Sequence, residues 1–390
     1  MKEMKLGYDD VHFQDNGKLK LLIVVGTRPE IIRLSATIKC CRRYFDVLLA
    51  HTGQNYDYAL NGVFFKDLAL EEPEVYMNAV GDDLGATIGN IINCSYKLMA
   101  AARPEALLVL GDTNSALSAI PAKRLKIPIF HMEAGNRCWD WNVPEMVNRT
   151  IVDHISDINM PYTEHSRRYL LNEGVDGKTM FVTGSPMPEV LAEHREKIEQ
   201  SDVLSRLNLS SKKYFLLSAH REENIDNEEN FLSLMSSVNM LAEKYQLPII
   251  YSCHPRSKKH IEARGFKFHD LVRPLQPFGF LDYNHLQKHA YCVISDSGTL
   301  SEESAILGFP AVLVRTSTER PEVLDKGTIV IGGIKGRDVA QAVELSVSMH
   351  ENHEAVEMAE DYHDLNVSAK VVKVIQSYAK IVGMTTWRQA

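Results

Sequence analysis

Short apolar runs alternate with longer stretches of helical periodicity along most of the chain. The runs are too short for helices and carry few polar residues at alternate positions, which is typical of strands buried on both faces of a parallel sheet. In the first half they lie at 21–25, 46–50, 106–110, 127–130 and 180–182, with helical stretches at 84–102 and 114–126 between them. This pattern predicts a doubly wound βαβ sheet.

The alternation pauses at 189–213, a charged and helix-prone segment, and then resumes. Further apolar runs lie at 214–218, 248–251, 271–273, 292–295, 311–314 and 328–331, with helical stretches at 228–245 and 281–289. We therefore predict an α/β protein with two Rossmann-like domains, residues 1–190 and 191–390. Ligands of such sheets bind beyond the carboxyl ends of the strands, so we expect the site in the cleft between the domains. The helical stretch at 369–381 either completes the second domain or returns to the first.

Length and charge narrow the class of protein. A chain of 390 residues is longer than one hydrophobic core usually supports, which agrees with two domains. The formal net charge of −8 gives no electrostatic reason to bind nucleic acid or an anionic membrane. No apolar segment is long enough to span a bilayer, residues 1–20 have no signal-peptide core, and the six cysteines show no metal-binding spacing. We expect a cytoplasmic protein.

Charged side chains follow the predicted strands of the first domain, where an open sheet binds its ligands. Arg28, Asp112 and Glu133 each come just after an apolar run, and Glu145 opens a helix. Each has a plain structural alternative: Arg28 and Asp112 as helix-cap residues, and Glu145 as a favourable charge at a helix N-terminus. Taken together, the three carboxylates form a candidate acid/base set.

The second domain offers a candidate phosphate site. The segment SDSGTLSEE at 295–303 is a loop of small residues entering a helix, which exposes backbone N–H groups to an anion. Glu303 is suited to sugar hydroxyls, while His220 and Arg221 either hold a phosphate or are structural strand-end residues. The motifs GxGxxG, GxxxxGK[ST], GxSxG and HExxH are absent, which disfavours dinucleotide, NTPase, serine hydrolase and zincin readings. A diphosphate ligand facing acid/base groups indicates a nucleotide-sugar enzyme.

Eight short motifs, in order, resemble the non-hydrolysing UDP-N-acetylglucosamine 2-epimerase family. They are GTRPE (26–30), TGQ (52–54), GDT (111–113), EAGxR (133–137), PExxNR (144–149), HREEN (220–224), SDSGxxxEE (295–303) and TERPE (318–322). The match runs over 21–383. The resemblance implies a GT-B-like fold, two Rossmann-like domains that close on a UDP-N-acetylated amino sugar, a homodimer, and a reaction that requires neither a nicotinamide cofactor nor a metal.

The resemblance also implies roles for individual residues. Four are expected to be catalytic: Asp112, Glu133, Glu145 and His220. The residues expected to bind the substrate are Arg28, Arg137, Arg149, Phe280, Ser297, Gly298, Thr299, Glu303 and Arg320. Within this set, Phe280 is expected to stack on the uracil and Glu303 to contact the ribose.

Within the family, the chain is most similar to the branch acting on UDP-2-acetamido-2,6-dideoxy-L-talose, which makes UDP-N-acetyl-L-fucosamine for surface polysaccharides such as capsule and O-antigen. The similarity lies in residues 51–61, 133–145, 183–190 and 295–304. Three residues depart from the wider family's pattern: Thr299 for a glycine, Met146 for a glutamate and Asn55 for a histidine. Asn55 lies near the family's regulatory UDP-GlcNAc site, so we do not expect that allostery here.

The implied reaction inverts C2 by anti-elimination of UDP and its re-addition to a glycal intermediate. Two faces of C2 require two proton-transfer groups, and the leaving diphosphate requires cations and N–H donors. Alternative functions are a UDP-N-acetylglucosamine 2-epimerase giving UDP-N-acetylmannosamine, a GT-B glycosyltransferase, a hydrolysing epimerase, and a non-catalytic nucleotide-sugar-binding regulator. The carboxylates argue against the regulator, because they would weaken a site built only for anions.

Overall fold

The chain divides into two compact units. The computed structural model describes residues 7–53, 64–141, 143–354 and 356–388. The N-terminal unit comprises Met1–Glu193 and His363–Ala390, and the C-terminal unit comprises His194–Tyr362. The final helix therefore belongs to the N-terminal unit, and the range 191–390 expected for the second domain extends too far at its C-terminal end.

The N-terminal unit is built on a six-stranded parallel sheet with the order β3-β2-β1-β4-β5-β6. Its strands are β1 (Lys20–Val25), β2 (Asp46–His51), β3 (Val75–Tyr76), β4 (Ala106–Leu110), β5 (Ile129–Met132) and β6 (Ile158–Met160). Its helices include α1 (Arg28–Tyr44), α2 (Leu84–Ala102), α3 (Ala119–Arg124), α4 (Pro144–Ile155), α5 (Glu164–Asn172), α6 (Met187–Glu193) and α16 (Val367–Thr386). Short 3₁₀ helices lie at Asn114–Ser118 and Gly177–Thr179.

The C-terminal unit repeats the design with the strand order β12-β11-β10-β7-β8-β9. Its strands are β7 (Phe215–Ser218), β8 (Ile249–Ser252), β9 (Val272–Leu275), β10 (Cys292–Ser295), β11 (Ala311–Leu313) and β12 (Val330–Ile331). Its helices are α7 (Arg195–Glu199), α8 (Val203–Arg206), α9 (Glu222–Ile225), α10 (Glu228–Tyr245), α11 (Pro255–Arg264), α12 (Phe280–His289), α13 (Thr299–Leu307), α14 (Pro321–Asp325) and α15 (Gly336–Glu351). A 3₁₀ turn at Glu360–Tyr362 ends the unit.

Local sequence explains where these elements begin and end. The strand β1 is apolar and buried from Leu21 to Val25, as expected for a central parallel strand. The helix α1 follows with Pro29 in its first turn, where the missing N–H costs nothing. At the start of α2, the Asp83 carboxylate accepts the N–H of Ala86 at 2.7 Å and caps the helix.

One predicted strand is wrong. The apolar run at 180–182 makes only an isolated bridge, from Met180 to Asn159. The outer strand is β6 instead, which has the buried Asn159 at its centre. This asparagine donates its side-chain N–H to the carbonyl oxygen of Asp153 at 2.9 Å, so the burial of its amide nitrogen is compensated. A three-residue strand with a polar centre does not show in an apolar pattern.

The strand orders determine where ligands are expected. In each parallel sheet the strand order reverses between two central neighbours, β1 and β4 in one unit and β7 and β10 in the other. Residues that follow such strands line the crevice of an open α/β sheet. Arg28 and Asp112 follow the first pair, and His220 and Ser297 follow the second. Within the described ranges, no helix combines the length and apolar character needed to cross a lipid bilayer.

The buried histidine at the end of β2 makes the fold sensitive to acid. The ring of His51 is 1% exposed, and its Nδ1 accepts the N–H of Gly53 at 2.9 Å. Burial lowers the pKa of His51 from 6.5 to about 4. Between pH 6.5 and pH 4 the histidine is protonated in the unfolded chain but not in the folded protein. The free energy of unfolding is therefore not reduced by His51 above pH 6.5, and it falls as the pH decreases, by about 3 kcal/mol at pH 4.

We predict that His51→Asn reduces this loss of stability. Asparagine keeps an acceptor for the N–H of Gly53 and does not titrate, so the midpoint of urea unfolding should fall less between pH 7 and pH 4.5 than in the parent. Circular dichroism at each pH gives the midpoints. His12→Asn at an exposed position is the control and should follow the parent. Equal pH dependence in all three proteins would contradict the prediction.

Candidate active site

Two acidic side chains meet one buried guanidinium at the carboxyl edge of the N-terminal sheet. Asp112 follows β4, Glu133 follows β5, and Arg149 extends from α4. Arg149 donates a hydrogen bond to the Asp112 carboxylate, and one of its nitrogens lies 3.6 Å from Glu133 Oε1. The Arg149 side chain is 2% exposed, so it balances the two carboxylates inside the protein, where an unpaired charge would be costly.

A second arginine joins this arrangement. Arg33, which lies on α1 and was not among the predicted site residues, forms an ion pair with Glu133. Both side chains are largely buried. Arg33, Glu133, Arg149 and Asp112 thus alternate in sign, and we call these four residues the charge network. Two positive and two negative side chains give it no formal excess charge.

The backbone at Glu133 adopts an unusual conformation. Its φ angle is 60°, in the left-handed region that residues other than glycine seldom occupy. Asn136 donates to Glu133 Oε1 at 3.3 Å, and Arg149 donates to the main-chain carbonyl of Glu133. Both the carboxylate and the backbone are therefore held by neighbours, as is usual where strain is retained at a functional site.

Glu145 is in a different environment from the other two acids. It lies in the first turn of α4, three and four residues before Asn148 and Arg149, so these side chains share one face of the helix. Asn148 donates to the main-chain carbonyl of Asp112 at 2.9 Å, which turns this face toward Asp112. Glu145 Oε2 is buried and accepts no hydrogen bond from the described residues. The site therefore combines guanidinium-paired acids with one acid that retains an unused acceptor oxygen.

Arg137 belongs to the framework behind this site. Its guanidinium donates to both oxygens of Glu173 at 2.7 and 2.8 Å and lies 2.7 Å from Asp153. Burial would raise the pKa of Asp153, but the hydrogen bond with His131 and the charges of Arg137 and Arg149 outweigh it and lower that pKa. Arg137 is thus occupied by protein carboxylates, and substrate binding by this residue stays a prediction without a contact that favours it.

Arg28 is the first residue of α1 and lies beside the switch point of the N-terminal sheet. Its guanidinium carbon is 5.6 Å from the centre of the Phe64 ring, a cation–π distance. The side chain is half-buried and remains accessible. This position is compatible with an anionic ligand at the carboxyl edge.

A buried aspartate organises the edge of the C-terminal sheet. Asp296 follows β10 and is fully buried. Its Oδ2 accepts the backbone N–H groups of His220 and Arg221, each at 2.9 Å, and the side-chain N–H of Asn224 at 3.1 Å. The loop after β7 is thereby fixed to the loop after β10. The His220 side chain is 46% exposed, so it is available to a ligand.

The N-terminus of α13 has the features of an anion site. Gly298 precedes the helix, and no side chain caps it. The Ser297 N–H donates to Ser295 Oγ at 3.1 Å, and the hydroxyl groups of Ser297 and Thr299 are 2.9 Å apart. A methyl group built on Gly298 would meet no atom within 4 Å. Uncapped N–H groups, two hydroxyls and an open approach are the elements of a phosphate site.

Glu303 and Arg320 are anchored within the C-terminal unit. Glu303 Oε2 accepts the side-chain N–H of Gln287 at 2.6 Å. Arg320 is 2% exposed and lies 3.2 Å from the buried carboxylate of Glu302. Arg320 therefore balances an acid of α13, which stabilises the helix that begins at Thr299, directly after Ser297 and Gly298.

The aromatic residue expected at the uracil is covered. Phe280 is 3% exposed, and its ring packs edge-on against His194 at a centroid distance of 5.7 Å. Tyr283, one turn further along α12, is half-buried instead. Burial, followed by the charge of Glu303, raises the pKa of Tyr283, which keeps its hydroxyl neutral near the strand-end Ser218. A less deeply buried aromatic residue is thus found at Tyr283, which the sequence analysis did not single out.

The three departures from the family pattern fall in different places. Thr299 contributes its hydroxyl to the first turn of α13. Met146 is buried in a small apolar cluster with Cys138 and Val143. Asn55, like the end of the TGQ motif at Gln54, lies outside the described residues.

The site residues that sequence reasoning missed are Arg33, Asn136, Tyr283 and Asp296. Asn136 and Asp296 lie inside quoted motifs, so their motif membership was the available signal. Arg33 and Tyr283 are single residues on helices, without a local signal. Among the described residues, no group of three or more His, Cys, Asp or Glu side chains is arranged to hold a metal ion.

Known proteins resemble this chain in both sequence and fold. A family model described as UDP-N-acetylglucosamine 2-epimerase matches residues 39–376. A curated UDP-N-acetylglucosamine 2-epimerase of Methanocaldococcus jannaschii is 33% identical over 343 residues, which is 86% of this chain and 94% of that protein.

Two solved structures extend the comparison. The UDP-N-acetylglucosamine 2-epimerase of Rickettsia bellii is 42% identical, with a TM-score of 0.89 over 95% of this chain and 100% of that one. A Methanocaldococcus jannaschii UDP-GlcNAc 2-epimerase in complex with UDP-GlcNAc and UDP is 31% identical, with a TM-score of 0.86 over 92% and 100%. These matches confirm the family and the GT-B-like fold class expected from the eight motifs. The chain is an isomerase that belongs to the UDP-N-acetylglucosamine 2-epimerase family.

Proposed function

We propose that the protein is a UDP-N-acetylhexosamine 2-epimerase that inverts C2 by reversible elimination of UDP. Its physiological reaction is the conversion of UDP-2-acetamido-2,6-dideoxy-L-talose to UDP-N-acetyl-L-fucosamine in surface polysaccharide biosynthesis. The observation that supports an epimerase best is the contrast between two acids paired with Arg149 and a third, Glu145, on the same edge. A reaction with one proton transfer on each face of a carbon needs acids in such unequal environments.

The C-terminal unit binds the leaving group in this proposal. The diphosphate lies against the first turn of α13, where the N–H groups and the hydroxyls of Ser297 and Thr299 act as donors. His220 contributes a further donor. Charge develops on UDP as the anomeric C–O bond breaks, and fixed donors stabilise this charge without reorganisation.

The acids of the N-terminal unit carry out the proton transfers. As UDP leaves with the electrons of the C1–O bond, a carboxylate removes the C2 proton and the C–H electrons form the C1–C2 double bond of the glycal. A second acid then delivers a proton to the opposite face of C2 while UDP re-adds at C1. We assign Glu145 to one face and the acids of the charge network to the other.

The covered position of Phe280 alters one expected contact. Tyr283 is half-buried beside Glu303, and it presents an aromatic ring near the ends of β7 and β10. We propose that Tyr283, instead of Phe280, contacts the uracil. Glu303 then serves the ribose hydroxyls, with its carboxylate oriented by Gln287.

The 6-deoxy substrate is supported by the segment that leads into the first turn of α4. In this turn Met146 replaces a glutamate of the wider family, and it is buried with Cys138 and Val143. An apolar anchor in place of a charge alters the segment that leads from Glu133 to Glu145, and thereby the surroundings of the sugar. UDP-N-acetylglucosamine is the alternative substrate, because the relatives described above carry that name.

We also propose that the protein works in the cytoplasm as a homodimer. The six cysteines are all free and buried, which suits a reducing compartment. The dimer is expected from the family resemblance. Light scattering on the purified protein measures the oligomeric state, and a monomer would contradict this part of the proposal.

The first prediction from the proposed function concerns the reaction itself. In deuterium oxide, the enzyme should convert UDP-2-acetamido-2,6-dideoxy-L-talose to its C2 epimer with one deuterium at C2, because the carbon exchanges its proton with an acid in contact with solvent. NMR and mass spectrometry detect the label. UDP-N-acetylglucosamine, assayed separately, should give a lower kcat/KM.

Other outcomes identify the alternatives. Faster turnover of UDP-N-acetylglucosamine would identify that sugar as the substrate. Accumulation of free sugar with UDP would indicate a hydrolysing epimerase, and turnover only with an added acceptor would indicate a glycosyltransferase. Protium retained at C2 of an epimerised product would contradict the elimination mechanism.

The second prediction concerns Glu145. Glu145→Gln should lower kcat by about a hundredfold or more, since an amide cannot transfer the proton. The affinity for UDP, measured by calorimetry, and the thermal unfolding midpoint should stay near the parent values. Glu164→Gln is a matched control, because Glu164 also lies in the first turn of a helix, α5, and is exposed. Unchanged kcat in Glu145→Gln would contradict its assignment.

The third prediction concerns the phosphate site. Gly298→Ala should fold normally, since the added methyl meets no atom within 4 Å, but it should weaken UDP binding about tenfold by narrowing the approach to α13. Gly89→Ala on α2 is the control, because a methyl group there also meets no atom within 4 Å. Equal UDP affinity in both variants, measured by calorimetry, would show that the diphosphate binds elsewhere.

A further inference from the structure

A buried carboxyl group links two of the turns that carry site residues. Glu30 lies in the first turn of α1 and is 1% exposed. Its Oε2 accepts the backbone N–H of Gly26 at 3.1 Å and the hydroxyl of Thr27 at 2.8 Å. This oxygen therefore holds the turn between β1 and α1, in which the next residue is Arg28.

The other oxygen of Glu30 reaches the neighbouring turn. The Ser115 hydroxyl donates to Glu30 Oε1, and it lies 2.7 Å from the hydroxyl of Thr113. Both hydroxyls belong to the segment that follows Asp112 after β4. Because β1 and β4 are adjacent in the sheet, one carboxyl group ties the Arg28 turn to the Asp112 turn.

Among the described residues, the donors that hydrogen-bond to this carboxyl group are all uncharged. Burial raises the pKa of Glu30, and the hydrogen bonds from Ser115, Thr27, Thr113 and Gly26 oppose the shift only in part. A buried acid of this kind is destabilising unless hydrogen bonds compensate for its lost hydration. Here the two turns that carry site residues provide these hydrogen bonds. Arg33, one helical turn further along α1, pairs with Glu133. The N-terminal end of α1 therefore contacts the segments that follow both β4 and β5.

We propose that Glu30 is a positioning residue for the epimerisation: it fixes the distance between Arg28, on the UDP side of the reaction, and Asp112, on the proton-transfer side. This inference rests on the proposed function. Glu30 acts only through the two turns, and a shift of about 1 Å in either turn is enough to reduce turnover strongly.

Separate substitutions test the hydrogen bonds of Glu30 to the Asp112 turn and to the Arg28 turn. Ser115→Ala removes the bond to the Asp112 turn and leaves the bonds to Gly26 and Thr27, so kcat should fall about tenfold while UDP affinity stays within about twofold of the parent. Thr27→Val removes a bond on the Arg28 side, so UDP affinity should fall about fivefold with a smaller change in kcat. Glu30→Gln should lower both quantities.

A control and a double variant distinguish positioning from general stability. Ser35 is a buried serine of α1. Among the described residues, its hydroxyl hydrogen-bonds only to the Ile32 carbonyl of the same helix, at 2.8 Å. Ser35→Ala should therefore leave kcat and UDP affinity unchanged. In Glu30→Gln, the further change Ser115→Ala should have almost no additional effect on kcat, since the link is already lost.

The outcomes separate this inference from the proposed function. If Ser115→Ala and Glu30→Gln lower only the thermal unfolding midpoint, and the parent kcat is retained, the positioning role is overturned. If the parent protein epimerises no UDP-sugar, the proposed function fails. In that event UDP affinity still tests the Arg28 half of the link: equal affinity in the parent, Glu30→Gln and Thr27→Val overturns it.

Discussion

The charge balance around Arg149 is the interaction on which the N-terminal site depends. Two carboxylates at adjacent strand ends would repel each other and lose hydration if they were buried alone. Arg149 and Arg33 supply equal positive charge from two different helices, and they connect α1 and α4 to the ends of β4 and β5. The strained backbone of Glu133 is tolerated because the same guanidinium also binds its carbonyl oxygen. The Arg149 guanidinium therefore both neutralises the buried carboxylates and holds the backbone of Glu133 in place.

The C-terminal unit handles charge by a different physical means. Around the first turn of α13 the described donors are mainly backbone N–H groups and hydroxyls, and the nearby acids are neutralised by Arg320 or held by hydrogen bonds. Oriented dipoles attract a diphosphate without trapping it as strongly as several full charges would. In the proposed function, this suits a leaving group that must depart and return. It would also allow a chain with a net charge of −8 to bind an anion locally.

Much of the fold was predictable because buried parallel strands are continuous apolar runs in the sequence. The strands β1, β4 and β10 are such runs. The exceptions have physical causes: β6 has a buried asparagine at its centre, and β3 is two residues long. Motif positions correctly indicated that Asp112 and Glu133 come just after strands, since strand ends are determined locally. Arg33 and Tyr283 escaped notice because their partners are distant in sequence. The burial of Arg137 and Phe280 among protein groups also could not be predicted from motifs, because burial is a tertiary property.

The return of α16 to the first unit has a consequence for the order of events during biosynthesis. The C-terminal unit is continuous in the chain, whereas the N-terminal unit is interrupted by it and is completed only by His363–Ala390. During translation, the segment Met1–Glu193 therefore cannot complete its packing until the inserted unit has been synthesised. Until then, the face of α1 that contacts α16 stays uncovered. Removal of the terminal helix would then harm the half of the enzyme that was synthesised first.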